Sequence, residues 1–224
     1  MTGRKAPLPL VVLVSGHGSN LQAILDRVAT GSLPVDVRAV LSDRPEARAL
    51  RRARSAGVRT GTVTPAEFPD KTAYDDALIR AVDQHAPELV VLAGFMRILG
   101  PGFVRRYPGR MLNIHPSLLP KHRGLHTHQR ALEAGDAIHG CSVHSVTEEL
   151  DGGPVIAQAE VPILPGDDAA RLRARVQGRE HQLFPEVIGW YAAGRLSLDG
   201  QRPLFDGVPL TMPKIFHWKG QDLP

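Results

Sequence analysis

The sequence has one cysteine, Cys141, in 224 residues, and aromatic side chains make up only 5% of it. A single cysteine excludes an intrachain disulfide and any multi-thiolate metal site, which fits a reducing compartment, and its thiol reads as buried packing. Nowhere does an apolar run approach the roughly 20 residues needed to cross a bilayer, and residues 1–9 lack the apolar core of a secretion signal. The expectation is therefore a cytoplasmic chain with no membrane partner. Few aromatics, and arginines dispersed among acidic residues, argue against nucleic acid as a partner. A formal charge of +4 still favours an anionic ligand. The sequence carries no repeat at a solenoid period and no low-complexity block. With 42% apolar side chains, its length suits one large globular domain, or at most two small ones.

What is present is an alternation of apolar runs and helical spacings. Leu8 to Val14 is continuously apolar apart from one proline and stops at Ser15-Gly16-His17-Gly18, as a buried parallel strand does on entering a turn. Leu21, Ile24, Leu25 and Val28 then recur at helical spacing until Gly31 and Pro34. Further strands are predicted over 35–41, 58–63 and 89–93, with helices over 46–56 and 71–85. This order predicts an α/β, Rossmann-like fold, a mostly parallel twisted sheet with helices on both faces. Ligands of such sheets sit at the carboxyl ends of the strands, here just after Val14, Ala93 and Ile114.

The second half differs in character. A strand over 111–114 runs into His115-Pro116, and 117–127 has no periodicity, which marks a functional loop. A short helix is predicted over 129–134 and a long one over 169–192. Strands over 140–146 and 154–161, separated by Gly152-Gly153, predict an antiparallel edge. Residues 1–198 are expected to form a single domain with halves at about 8–100 and 101–198. The proline- and glycine-rich residues 199–224 read as an irregular extension whose Phe205, Phe216 and Trp218 can dock on the body.

Three motifs carry chemistry. Gly16-His17-Gly18-Ser19-Asn20 puts small residues between strand and helix, so that backbone N–H groups and a helix N-terminus can meet a phosphate. Two other readings stand beside it: a tight turn with a Ser or Asn cap, and a dinucleotide fingerprint. The fingerprint needs glycine where Leu21 stands and has only Asp43 in its favour. Next, Asn113 and His115 alternate to one side of a strand end, and an amide with an imidazole can stabilise an oxyanion and manage a proton. The bland alternative for His115 is a hydrogen-bonded structural histidine. Asp151 is either an exposed turn residue or an acid that orients a histidine. Histidines at 122, 126, 128, 139 and 144 lack acidic or cysteine partners at ligand spacing, so no metal is expected.

Four segments together resemble the glycinamide ribonucleotide formyltransferase family: VLVSGHGSNLQ from Val12, VLAGFMRIL from Val91, LNIHPSLLPKHRGLHT from Leu112, and TEELDGGP from Thr147. Their order covers roughly residues 10–198. The resemblance implies direct transfer of a formyl group from 10-formyltetrahydrofolate, without metal, to the amine of glycinamide ribonucleotide in purine biosynthesis. The phosphate-binding half would be about 8–100 and the folate and catalytic half about 101–198. By matching position, Gly18, Ser19, Asn20, Pro116 and Glu180 would bind the ribonucleotide. Lys71, Met96, Arg97, Ile98, Leu99 and Asn113 would bind the folate, and Asn113, His115 and Asp151 would be catalytic. Lysine at 71, where the family can use arginine, keeps the charge but loses the bidentate fork. Relatives that formylate methionyl-tRNA or hydrolyse formyl folate are expected to carry an additional C-terminal or N-terminal domain, respectively. A non-enzymatic nucleotide-binding module would leave Asn113, His115 and Asp151 without a role. The expected assembly is a monomer or homodimer.

Overall fold

The computed structural model describes residues 6–199 and 202–219. Its first half alternates β1 (Leu8–Val14), α1 (Ser19–Ala29), β2 (Val35–Ser42), α2 (Arg48–Ser55), β3 (Thr60–Thr62), α3 (Lys71–Asp83), β4 (Leu89–Leu92) and α4 (Pro101–Arg106). The second half comprises β5 (Met111–His115), α5 (Thr127–Glu133), β6 (Ile138–Ser145), β7 (Val155–Pro162) and α6 (Ala169–Ala192). Four short strands follow: β8 (Leu196–Asp199), β9 (Arg202–Phe205), β10 (Val208–Pro209) and β11 (Lys214–Phe216).

The main sheet has the order β11-β7-β6-β5-β4-β1-β2-β3. Strands β3, β2, β1, β4 and β5 are mutually parallel, and β6 runs antiparallel to both β5 and β7. The period of two along β1 explains its unbroken apolar sequence. Leu8, Leu10, Val12 and Val14 enter one core, with α1, α2 and α6, while Val11 and Leu13 enter a second core, with α3 and α4. Every β1 side chain is buried, and each Val or Leu so placed contributes roughly 1.5–3 kcal/mol. With both faces covered, only the strand ends are open to a ligand.

α6 spans the predicted 169–192 although Pro185 lies inside it. An internal proline removes one backbone hydrogen bond, but Leu183, Phe184, Val187 and Ile188 bury a continuous stripe in the first core and hold the helix together. α4 was not predicted, because six residues with Phe103 as the one buried side chain carry too little periodicity. The reading of 199–224 as an irregular extension is corrected for residues 199 and 202–219; 200–201 and 220–224 lie outside the described residues. Strands β8, β9 and β10 form an antiparallel sheet, and β11 adds in parallel to β7 through Lys214↔Ala157, Ile215↔Gln158 and Phe216↔Ala159. Aromatic contacts fix this segment: Trp190 meets Phe205 edge-on at 5.1 Å and stacks on Phe216 at 6.0 Å. Prolines at 203 and 209 hid these strands in the sequence, yet small sheets and edge strands tolerate proline.

Candidate active site

At the carboxyl end of β1 the chain turns through Gly18, whose φ of +77° is a backbone state that favours glycine. A Cβ there would also lie 2.6 Å from that of Ala49, so α2 packs directly on the turn. The first intrahelical bond of α1 runs from the Gln22 N–H to the Gly18 carbonyl at 2.9 Å. The N–H groups before it, at the positive end of the helix, are left for an anion. α6 crosses behind the turn: Gln177 Nε2 donates to Ser19 Oγ and Asn20 Nδ2 donates to Glu180 Oε2, both at 2.8 Å. Burial raises the pKa of the Glu180 carboxyl, and the Asn20 hydrogen bond opposes that rise. The Asn20 amide oxygen is buried without a partner. A cavity of about 270 Å³ opens over the turn, bounded by Arg44, Pro116, His128 and Arg173 as well as Gln177 and Glu180.

Beside this cavity, β5 ends in Asn113 and His115. Asp151, in the turn after β6, brings Oδ2 to 3.4 Å from His115 Nδ1 and accepts the Gly124 N–H at 2.9 Å. Nε2 of His115 faces the backbone carbonyl of His122 at 3.1 Å. Both ring nitrogens thus face oxygen acceptors, a pattern that the doubly protonated ring satisfies. Asn113 lies across the β5–β6 ladder from His144, and its Nδ2 donates to His144 Nε2 at 3.0 Å. The His144 ring donates in turn from Nδ1 to the Ser145 carbonyl at 2.9 Å. This relay requires a neutral imidazole, and burial pushes the pKa of His144 down to about 4. One N–H of the Asn113 amide is therefore pinned and the second is left for a ligand.

The loop after His115 is tied to the sheet. Ser142 Oγ donates to the Ser117 carbonyl at 2.7 Å and accepts the Leu119 N–H at 3.0 Å, while Gln158 Nε2 donates to the Leu119 carbonyl at 2.9 Å. Further along, Lys121 Nζ and His122 Nε2 each lie 2.8 Å from the Asp136 carboxylate, whose pKa they lower. His128 Nδ1 lies 3.1 Å from His139 Nε2, and burial pushes both rings down to about 4. Among the described residues no group of three or more His, Cys, Asp or Glu side chains is placed to hold a metal ion.

A second, narrower pocket of about 80 Å³ lies on the other side of Asn113 and Asp151, between Phe95, Arg97, Ile98 and Leu99 and the segment 146–151. Arg97 is held by Asp43, fully buried at the end of β2, through Nε to Oδ2 at 3.0 Å. Two residues expected at the folate do not line this pocket. Met96 lines the cavity over the glycine turn, its N–H donating to Ser15 Oγ at 2.8 Å. Lys71 does not line the narrow pocket; its amine lies 2.7 Å from Asp75 Oδ2, which also accepts the Gly100 N–H at 2.9 Å. A larger concavity of about 770 Å³ lies at the opposite end of the sheet, around Val35, Arg38 and His85, away from the carboxyl ends of the strands.

The sequence reading missed Arg44, Arg173, Gln177 and His144. A strand register would have found His144, the cross-strand partner of Asn113. The spacing of Arg173, Gln177 and Glu180 on one helix face was a usable cue for Arg173 and Gln177, whereas no local pattern marked Arg44.

A mostly parallel α/β sheet with a helix N-terminus open at one strand end, and an amide, an imidazole and a carboxylate gathered beside it, fits a class, the group-transfer enzymes of Rossmann-like fold. Residues 8–188 match the model of the formyl transferase family, and the chain belongs to that family. It is 56% identical over 200 residues to the phosphoribosylglycinamide formyltransferase of Escherichia coli, covering 86% of this chain and 94% of the relative. To the human trifunctional purine biosynthetic protein adenosine-3 it is 39% identical over 189 residues, 84% of this chain but 19% of that longer protein. Among solved structures, phosphoribosylglycinamide formyltransferase from Coxiella burnetii superposes with a TM-score of 0.90 at 49% identity, covering 94% of this chain and 99% of the other.

Proposed function

We propose that this chain transfers the formyl group of 10-formyltetrahydrofolate to the amine of glycinamide ribonucleotide, giving the N-formyl product and tetrahydrofolate in purine biosynthesis. The observation that carries the reading is the placement of His115, with Asn113 and Asp151, between the cavity over the glycine turn and the narrow pocket. The relatives named above supply the identity of the acceptor. Residues 8–198 act as one catalytic unit.

In this reading the Gly18, Ser19 and Asn20 turn takes the phosphate, and Glu180, Asn20 and Pro116 contact the rest of the ribonucleotide. Phe95, Ile98 and Leu99 present the apolar wall that a flat heterocycle needs, and Arg97 stands at its rim for an anionic tail. The amine attacks the formyl carbon, the bond from that carbon to the folate nitrogen breaks, and a proton passes from the amine to that nitrogen. Asn113, with its free N–H, and protonated His115 stabilise the developing oxyanion. Asp151 keeps the imidazolium charged and oriented through Nδ1, which frees Nε2 for the substrate once the loop carbonyl of His122 gives way.

The test is a spectrophotometric assay of the purified chain with a 10-formyl folate donor, with and without glycinamide ribonucleotide. Folate release that depends on the ribonucleotide is expected. Release without the acceptor would make the chain a hydrolase of formyl folate, and no release in either mixture would favour a nucleotide-binding module.

A further inference from the structure

The cavity over the glycine turn faces a charge problem. A phosphate monoester carries about −1.5 to −2 charges at neutral pH, whereas a helix N-terminus offers only about half a positive charge. Close to it stands the buried carboxyl of Glu180, which adds no compensation. Recognition of a dianion here calls for a cation, and the cavity wall holds two arginines.

Arg44 is shared. Its Nε lies 3.9 Å from Asp43 Oδ2, on a carboxylate that also holds Arg97. Arg173 is the third member of a stripe on α6. Residues 173, 177 and 180 fall at i, i+4 and i+7, hence on one helix face. The two deeper members hold the turn: Gln177 bonds Ser19, and Glu180 bonds Asn20. One turn nearer the mouth, Arg173 lines the same cavity, and among the described residues no hydrogen bond or ion pair engages its guanidinium. Its charge reaches the cavity: it adds to burial, the larger cause, in lowering the pKa of the His128 imidazole, and it opposes the burial-driven rise at Glu180. The Asn20 amide oxygen, buried and unpartnered in the same wall, independently points to a ligand there, one that brings a hydrogen-bond donor such as a hydroxyl beside its phosphate.

We propose that Arg173 is a substrate-binding residue that supplies the ionic part of phosphate recognition, closing over a phosphate monoester seated on the Gly18–Asn20 turn. The inference rests on the acceptor being a ribonucleotide, as argued above. Its guanidinium can meet two phosphate oxygens at once, which a lysine at the same place would not do.

The experiment compares wild type, Arg173→Gln, Arg173→Lys and Arg44→Gln with Arg171→Gln as an exposed control on the same helix. Arg173→Gln should raise KM for glycinamide ribonucleotide about tenfold, the loss of one solvent-exposed charge-assisted contact, with kcat and the folate KM held. Lysine should restore part of it, and Arg44→Gln should cost less than Arg173→Gln. A readout that needs no turnover is protection against thermal unfolding by inorganic phosphate, whose half-effect concentration should rise by a similar factor in Arg173→Gln. Unchanged ribonucleotide KM and unchanged phosphate protection in Arg173→Gln would overturn the proposal, as would a larger effect in Arg44→Gln. An inert wild type would instead sink the functional reading and this inference with it, so the two failures are distinguishable.

Discussion

Asp151→Asn separates charge from geometry at the candidate active site. Asp151 sits at a φ of +48°, a left-handed state that asparagine tolerates as well as aspartate does. The carboxylate oxygen that accepts the Gly124 N–H and faces His115 Nδ1 can be replaced by the amide oxygen of asparagine without loss of either contact. What disappears is one negative charge, 3.4 Å from the His115 ring nitrogen that carries a proton in the proposed mechanism. At an effective dielectric constant of about 20, that pair is worth at most about 5 kcal/mol, and positioned acid–base groups contribute about 10²- to 10⁴-fold to rate. The expected result is a fall in kcat of about 10²- to 10³-fold with both KM values within about threefold of wild type, since without the carboxylate the ring is neither held charged nor oriented for the oxyanion, while the groups that bind the two substrates are untouched. Steady-state kinetics with both substrates varied measures this, and thermal unfolding of the variant checks that the fold survives. Turnover within about threefold of wild type in a folded Asp151→Asn protein would remove the carboxylate from the mechanism.

Replacing Asn113 with alanine should cost about 3 kcal/mol of transition-state stabilisation, read as a drop in kcat/KM of more than about 100-fold; near-normal kinetics would refute an oxyanion role for its amide. Gly18→Ala should lower the melting temperature and weaken ribonucleotide binding, because the left-handed backbone alone costs about 1–2 kcal/mol and the new methyl meets Ala49; an unshifted unfolding curve would contradict the packing described. Stability should fall on acidification: His144 is held neutral with its pKa near 4, so its contribution is complete above about pH 6.5 and is lost as pH drops from there toward 4. The ceiling for this one group is about 3 kcal/mol, and chemical denaturation at pH 7.5, 5.5 and 4.5 should show a slope that His144→Gln reduces; a pH-independent stability in the wild type would argue against the neutral relay.

Legibility in the sequence followed burial. β1 and β4 were readable because a strand covered on both faces must be apolar throughout, and α6 because its buried stripe persists through Pro185. The glycine turn and the strand end at Asn113 and His115 were local patterns and needed no tertiary information. The separation of Asp151 from His115 was not readable, since it depends on the antiparallel register of β5 and β6 and on the turn beyond. The ion pair of Lys71 with Asp75 was not readable either, being a matter of side-chain partnership that spacing does not encode. Arg44 was hidden for another reason: among 27 lysines and arginines, an exposed one in a loop has no periodicity to mark it.

The hydrogen bonds from Ser19 to Gln177 and from Asn20 to Glu180 join residues 158 and 160 positions apart. No fragment of the first hundred residues can build that floor, because its supports arrive with α6. If the turn seats the phosphate as proposed, its occupancy is a report on the folding of the whole chain, and a bound ribonucleotide draws the native population up by mass action. At a concentration of 100 times Kd the gain is about 2.7 kcal/mol, spread over both ends of the polypeptide at once. A cell short of this metabolite would hold a less stable pool of the protein than a cell well supplied with it.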